Sequence, residues 1–186
     1  CSYMQCLDLC YQNLSKRVYG EDDAQAPNKL VKDNAYFVNH CTSTYLCKRA
    51  FKRTCENGFP KQSGGIRLKE QQQLYVQKAE PSTWITKRVG SSYTASCYTN
   101  LFSLFATETE KAVGKSLCVF SYGSGSASTM YRLRVDALPK MDFGIFERLD
   151  KRVKHDPESY LEMIEAYSTS SYGRFGFKPK DWGGKQ

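Results

Sequence analysis

The sequence predicts an α/β fold, and three observations carry that prediction. Leu117, Cys118, Val119 and Phe120 form an uninterrupted apolar run, the pattern of a strand buried on both faces. The stretch Ser121 to Ser126 then breaks the run with Gly123 and Gly125. From Ser128 the residues alternate, with Thr129, Tyr131, Leu133 and Val135 on one face and Met130, Arg132 and Arg134 on the other. Upstream the period changes: Tyr93, Cys97, Leu101 and Phe105 recur every four residues, and Tyr98 and Phe102 widen the stripe. A helix over 93–109, a turn at Gly114, a strand over 116–122 and a second strand over 128–135 follow.

Residues 2–19 form an amphipathic helix with Cys6, Leu7, Cys10 and Leu14 at helical spacing, stopped by Gly20, and GEDDAQAPN reads as a polar connection. A second helix is expected over 41–56, ending before Asn57-Gly58, with Tyr45, Leu46 and Phe51 to Cys55 on its apolar side. His40 stands at its entrance and reads as a cap or surface histidine. The glutamine-rich stretch 60–79 is expected to be an inserted loop or partly helical excursion. Trp84 to Val89 is expected to be a short strand, and Ser91 or Ser92 can cap the helix that follows. Later, Phe143 to Val153 and the Asp156-Pro157-Glu158-Ser159 start predict two further helices, with proline well placed in a first turn. His155 belongs to that start. The chain ends in a glycine- and aromatic-rich tail.

At 186 residues, with 40% hydrophobic and 25% charged composition, the chain has the make-up of one ordinary folded domain or part of a larger one. No apolar run reaches the length of a membrane span, and the opening lacks the basic start and apolar centre of a secretion signal, so a soluble protein is expected. Eight cysteines at 1, 6, 10, 41, 47, 55, 97 and 118 include no C-x-x-C pair. They read as reduced, mostly buried thiols rather than a disulfide framework or a zinc site, with Cys97 and Cys118 in the core. The net charge of +8 raises a nucleic-acid reading. However, Lys48, Arg49, Lys52 and Arg53 recur at the spacing of a solvated helix face, and Lys151, Arg152 and Lys154 read the same way.

Residues 89–135, VGSSYTASCYTNLFSLFATETEKAVGKSLCVFSYGSGSASTMYRLRV, resemble the C-terminal part of 3-hydroxy-3-methylglutaryl-CoA synthases, condensing enzymes of the thiolase superfamily. The resemblance begins at Glu80 to Thr83 and Lys87 to Gly90. In that family a G-N-x-Y-T segment opens a helix leading into an F-S-Y-G-S-G strand. Tyr93-Thr94 and Phe120 to Gly125 match, while Ser91 stands at the asparagine position. The resemblance implies the C-terminal half of a layered thiolase-like fold, a mixed sheet flanked by helices, over residues 1–186. It favours a fragment as the reason the chain begins at Cys1. The family's His-x-Pro-aromatic segment, which carries its catalytic histidine before a helix, is not recognised; with Cys1-Ser2-Tyr3 in that place, the histidine lies upstream.

The chemistry so implied condenses acetyl-CoA with acetoacetyl-CoA to 3-hydroxy-3-methylglutaryl-CoA, through an acetylated cysteine and a carboxylate base. Both belong to the family's N-terminal half, so no catalytic residue and no metal ligand is assigned here. Substrate positioning is assigned to Ser124 and the backbone of Gly123 and Gly125 near the acyl group, to Tyr122 and Tyr93 lining the pocket, and to Ser91, which needs a water to reach what asparagine contacts directly. No cofactor is implied beyond the coenzyme A thioester substrates. The implied partners are an N-terminal catalytic half or another chain, and a homodimer at full length. The compartment is cytoplasmic, with mitochondrial as the alternative. A catalytically incompetent thiolase-type module with a structural or interaction role is the competing reading, and nucleic-acid binding a distant third.

Overall fold

A computed structural model of the chain describes residues 2–123 and 125–170. Its centre is the strand β2 (Ser116–Tyr122), in which Leu117, Cys118, Val119 and Phe120 are at most 1% exposed. A strand with no polar face must be covered on both sides, so it takes the middle of the sheet order β1-β2-β3. β1 (Tyr36–Asn39) runs parallel to it, with Val38 opposite Val119 and Asn39 opposite Phe120. β3 (Ser128–Arg134) runs antiparallel, with Tyr131 opposite Val119. The sheet is therefore mixed. β1 was not expected from the sequence, because four residues buried on both faces show neither alternation nor length.

The side chains of β1 and β2 alternate between two helical layers. Phe37 and Cys118 point into a core built from Tyr11, Leu30, Val31, Phe51, Cys55 and Tyr75. These come from α1 (Ser2–Tyr19), α2 (Ala26–Asp33), α3 (Thr44–Gly58) and α4 (Leu68–Lys78). Phe120 extends the same face against Tyr3, Leu7 and Ala50. Tyr36, Val38, Leu117 and Val119 meet the other layer, where Cys97 and Leu104 of α6 (Ser96–Glu108) pack on them. Burying each such Leu, Val or Phe side chain contributes about 1.5–3 kcal/mol. The described cysteines are free thiols, and Cys97 and Cys118 lie in these cores as expected.

Several elements depart from expectation. The face that α1 buries is Tyr3, Leu7, Tyr11 and Ser15, one residue round from the predicted stripe, so Cys6 and Cys10 are only half-buried. Tyrosine is tolerated there because Tyr3 Oη donates to the His40 carbonyl at 2.8 Å and Tyr11 Oη to that of Pro27. The polar connection is interrupted by α2, which places Pro27 in its first turn and buries Leu30 and Val31. Trp84–Val89 is a helix, α5, not a strand: a 3-10 turn over Glu80–Thr83 leads into it, and Arg88 reaches back one turn over the Trp84 ring at 4.6 Å. Within residues 60–79 a 3-10 turn (Lys61–Ser63) precedes α4, the partly helical form of that stretch.

The chain divides into two units, Cys1–Phe146 and Glu147–Gln186. The second contains most of α7 (Ile145–Asp150) and α8 (Pro157–Ser170), whose start is capped by the Asp156 carboxylate accepting from Ser159 N at 2.8 Å. Lys151, Arg152 and Lys154 follow α7 instead of lying on it, and His155 is exposed. The expected C-terminal tail falls almost wholly outside the described residues. Among those described, no helix is long and apolar enough to cross a membrane.

Gly58, in the last turn of α3, has no room for a side chain: a Cβ there would lie 2.5 Å from Val31 Cγ2 and 3.2 Å from the Pro27 carbonyl oxygen. Gly58→Ala is expected to destabilise the fold by about 1–3 kcal/mol through overpacking, read as a lowered urea midpoint. An unchanged midpoint would mean that α2 and α3 are not packed this closely.

Candidate functional site

Parallel pairing brings the C-terminal ends of β1 and β2 to the same edge of the sheet, which is where open α/β sheets hold their ligands. The residue that follows β1 is His40. Its N–H donates to the Phe120 carbonyl at 2.7 Å, prolonging the ladder by one step, and its own carbonyl accepts from Tyr3 Oη. The imidazole Nδ1 lies 2.8 Å from Ser96 Oγ, at the first residue of α6. The ring faces that of Tyr122, 6.2 Å away between centroids, and Tyr122 packs in turn on Tyr3 at 5.0 Å. His40 is only 8% exposed, so the sequence-based expectation of a surface histidine is corrected.

The turn from β1 into α3 is pinned from the α6 side. Cys41 N–H donates to Ser96 Oγ at 3.2 Å, and the Cys41 carbonyl accepts from Ser91 Oγ at 3.3 Å. One helical turn after Ser96, Asn100 Nδ2 donates to the Asn39 carbonyl at 2.9 Å while its Oδ1 accepts from Thr86 Oγ1 at 2.7 Å. Ser43 then caps α3 by accepting from Leu46 N at 3.2 Å. No charged side chain takes part in these bonds.

Burial holds the His40 imidazole below its usual range and so keeps it neutral. The Cys41 thiol is pulled down by hydrogen bonding from Cys47 and Asn100, whereas Cys47 is pushed up by its bond to Cys41 and by burial. Cys41 is fully buried, so no acyl donor reaches its sulfur in this arrangement. Among the described residues no group of three or more His, Cys, Asp or Glu is placed to hold a metal ion.

Of the residues singled out from sequence, Ser91 and Tyr122 lie around His40. Ser91 Oγ also accepts from Tyr93 N at 3.2 Å, so the serine shapes its own loop on both sides. Tyr93 takes a left-handed backbone (φ 48°) and is 80% exposed, outside this cluster. Gly123 closes the hairpin with both backbone groups, its N–H donating to Ala127 O and its carbonyl accepting from Ser126 N. Gly125 is exposed, and Ser124 lies outside the described residues. His40, Ser96 and Asn100 were missed. The signal that points to His40 is local: an apolar Tyr36 to Val38 immediately before it and a capped helix start immediately after, the order strand, histidine, helix.

A neutral His40 has a consequence for stability. Unfolded, it titrates near 6.5; folded, it resists the proton to a lower pH. Between those two values the unfolded state binds a proton that the native state does not, so stability is full above pH 6.5 and declines as pH falls through that window. His40→Gln is expected to flatten this decline in urea unfolding measured from pH 7.5 down to pH 5, about a unit and a half below the ordinary histidine value. Parallel pH profiles in the two proteins would refute the neutral, buried assignment.

Residues 61–181 match the family model for the C-terminal part of hydroxymethylglutaryl-coenzyme A synthase. Hydroxymethylglutaryl-CoA synthase A of Dictyostelium discoideum is 27% identical over 198 residues, covering 90% of this chain and 40% of that protein. The human cytoplasmic hydroxymethylglutaryl-CoA synthase is 26% identical over 204 residues, covering 88% and 39%. Among solved structures, PksG, an HMG-CoA synthase from Bacillus subtilis, superimposes with a TM-score of 0.71 at 22% identity, over 90% of this chain and 39% of that one. MvaS in complex with 3-hydroxy-3-methylglutaryl coenzyme A does so with 0.64 at 19%, over 88% and 42%. At such identities the structural likeness establishes the fold, the layered α/β arrangement expected from the resemblance. The chain spans about 40% of the length of the curated relatives it matches. It belongs to the hydroxymethylglutaryl-coenzyme A synthase family, to the C-terminal portion that the family model describes.

Proposed function

We propose that this chain is the substrate-positioning C-terminal portion of a hydroxymethylglutaryl-CoA synthase, acting with an N-terminal portion that supplies the nucleophilic cysteine and the carboxylate base. The observation that carries the reading is His40, held at the shared end of β1 and β2 directly before a capped helix. The resemblance implies a catalytic histidine directly before a helix, and this reading assigns it to His40 before α3 in place of the expected histidine upstream of Cys1. The segment reads His40-Cys41-Thr42-Ser43, with threonine in place of the proline and serine in place of the aromatic residue. Ser43 secures by capping what the proline secures by its ring.

The reaction so proposed begins with transfer of an acetyl group from acetyl-CoA to the cysteine, releasing CoA. The base removes a methyl proton, the carbanion equivalent attacks the ketone carbon of acetoacetyl-CoA, and water cleaves the thioester to release 3-hydroxy-3-methylglutaryl-CoA. As the new carbon–carbon bond forms, the ketone oxygen gains negative charge and needs a pre-positioned donor. His40 is placed to provide it, with Tyr122 as one wall and Ser91 reaching the substrate through a water. No group beyond the two thioesters is required. Family membership and the human relative described as cytoplasmic support a cytoplasmic enzyme of this class, and the resemblance implies assembly as a homodimer.

The test is release of CoA thiol from acetyl-CoA plus acetoacetyl-CoA by the protein comprising this chain and its nucleophile-bearing portion. His40→Ala is expected to lower kcat about 10²–10³-fold, and His155→Ala to leave it unchanged. Undiminished turnover in His40→Ala would remove the histidine from the chemistry. A native protein that binds both thioesters without releasing CoA would establish the non-catalytic module instead.

A further inference from the structure

We infer that Ser96 is a positioning residue that locks His40 in the Nε2–H tautomer, so that the ring meets its ligand as a neutral N–H donor and not as a base. The inference rests on His40 being the functional histidine, and it comes from counting protons at one buried oxygen. Ser96 Oγ lies 3.2 Å from Cys41 N and 2.8 Å from His40 Nδ1. A backbone N–H can only donate, so toward Cys41 the hydroxyl is the acceptor. Ser96 has no other partner among the described residues and is 0% exposed, so neither water nor a carbonyl takes its own proton. The one remaining acceptor is the lone pair of Nδ1, and the ring proton then belongs on Nε2.

The opposite tautomer fails this count. With the proton on Nδ1, Ser96 Oγ would receive two donors, and its hydroxyl proton would be stranded in the interior without an acceptor, an arrangement native interiors avoid. The far side of the ring agrees. His40 Nε2 has no hydrogen-bond partner among the described residues, yet no buried side-chain nitrogen or oxygen there lacks one. Nε2 is therefore not fully buried and is the ring nitrogen left open to a ligand. The bonds run in one direction, from Cys41 N–H to the Ser96 hydroxyl to Nδ1, each polarising the next. Asn100, on the same face of α6 one turn on, holds the Asn39 carbonyl and so keeps the end of β1 in register with Ser96.

Nitrogen-15 correlation spectra of the imidazole rings test this directly, because the two neutral tautomers differ in which ring nitrogen carries the proton. The chain holds only two histidines, and His40 is assigned by its loss in His40→Gln. At a pH where both rings are neutral, His40 is expected as Nε2–H alone. In Ser96→Ala it should become a mixture of both tautomers, and Ser96→Thr, which keeps the hydroxyl, should restore the single form; exposed His155 serves as the unchanged reference. A native His40 protonated on Nδ1, or an unaltered single tautomer in Ser96→Ala, overturns the inference. Should Ser96→Ala fail to fold, the native spectrum still decides, since a mixed or Nδ1–H ring there is enough to refute it. The CoA-release assay on His40→Ala separates the two levels: full activity there would remove the catalytic reading while leaving the tautomer result standing.

Discussion

Parallel pairing of Tyr36 to Asn39 with Leu117 to Phe120 is the constraint on which the site depends. Parallel neighbours need a long crossover, and here it wraps the sheet, running through α3 and α4 on one face and α6, with α5 bonded to it, on the other. The passage between layers lies along the outer edge of β1. There Ser82, in the 3-10 turn that carries the chain across, donates to both the Ala79 and Phe37 carbonyls. A buried edge strand with open backbone groups invites mispairing, and this turn covers it. The same wrapping delivers the first turn of α6 beneath the end of β1, so the site follows from the route of the crossover.

What holds that route is a set of buried and half-buried polar side chains at the junctions between layers. Lys78 donates through Nζ to the Val31 and Asn34 carbonyls at 2.8 and 2.6 Å, where the last turn of α2 gives way to β1. Burial pulls its ammonium below the usual lysine range, but these carbonyls compensate part of the lost hydration. Asn34 bonds back to Leu30 O at 2.8 Å and accepts from Arg132 Nε at 3.1 Å. Each such bond contributes about 0.5–1.5 kcal/mol, whereas leaving its buried partner unsatisfied costs about 1–3. That asymmetry favours specificity: these groups select one arrangement of strand and helix where apolar packing alone would accept several.

The parts of this architecture that could be read from sequence are those that repeat. β2, β3 and α6 are long enough for their apolar period to show: both strands emerged within a residue of their observed limits, while α6 begins at Ser96, three residues after the expected start, behind a 3-10 turn over Tyr93–Ala95. β1, with four residues, and α2, hidden in a polar stretch around Pro27, offered no period. α5 was misread because six residues with Trp84, Ile85 and Val89 suit either structure locally; the turn before it and the Trp84–Arg88 contact decide for the helix. Tyr122, singled out for its place beside the glycine turn, packs near the His40 ring. For His40 only the local order of apolar run, histidine and capped helix start was there to read, since the bond to Ser96, 56 positions away, exists only after the sheet has formed. Tyr93, also singled out from the motif, has a left-handed backbone and is exposed.

The chemistry of the site is set by what surrounds it as much as by what it contains. The chain carries a net charge of +8, and several of its described cations lie on α3. Lys48 lies over the Tyr75 ring, Arg49 over that of Tyr45, and Arg53 is paired with Asp8 at 2.8 Å on the outer face of α3. Around His40 the polar groups are hydroxyls, amides and one neutral ring. Fixed dipoles of this kind can stabilise charge that appears on a bound oxygen during reaction without binding an anion permanently beforehand. A cation in the same place would favour any anion at rest and would pull a neighbouring thiol toward thiolate. On the proposed function, a site whose described hydrogen bonds involve no charged side chain would hold an oxygen while the nucleophile is made elsewhere, and that division suits a chain whose own nearby thiol, Cys41, is sealed in the core.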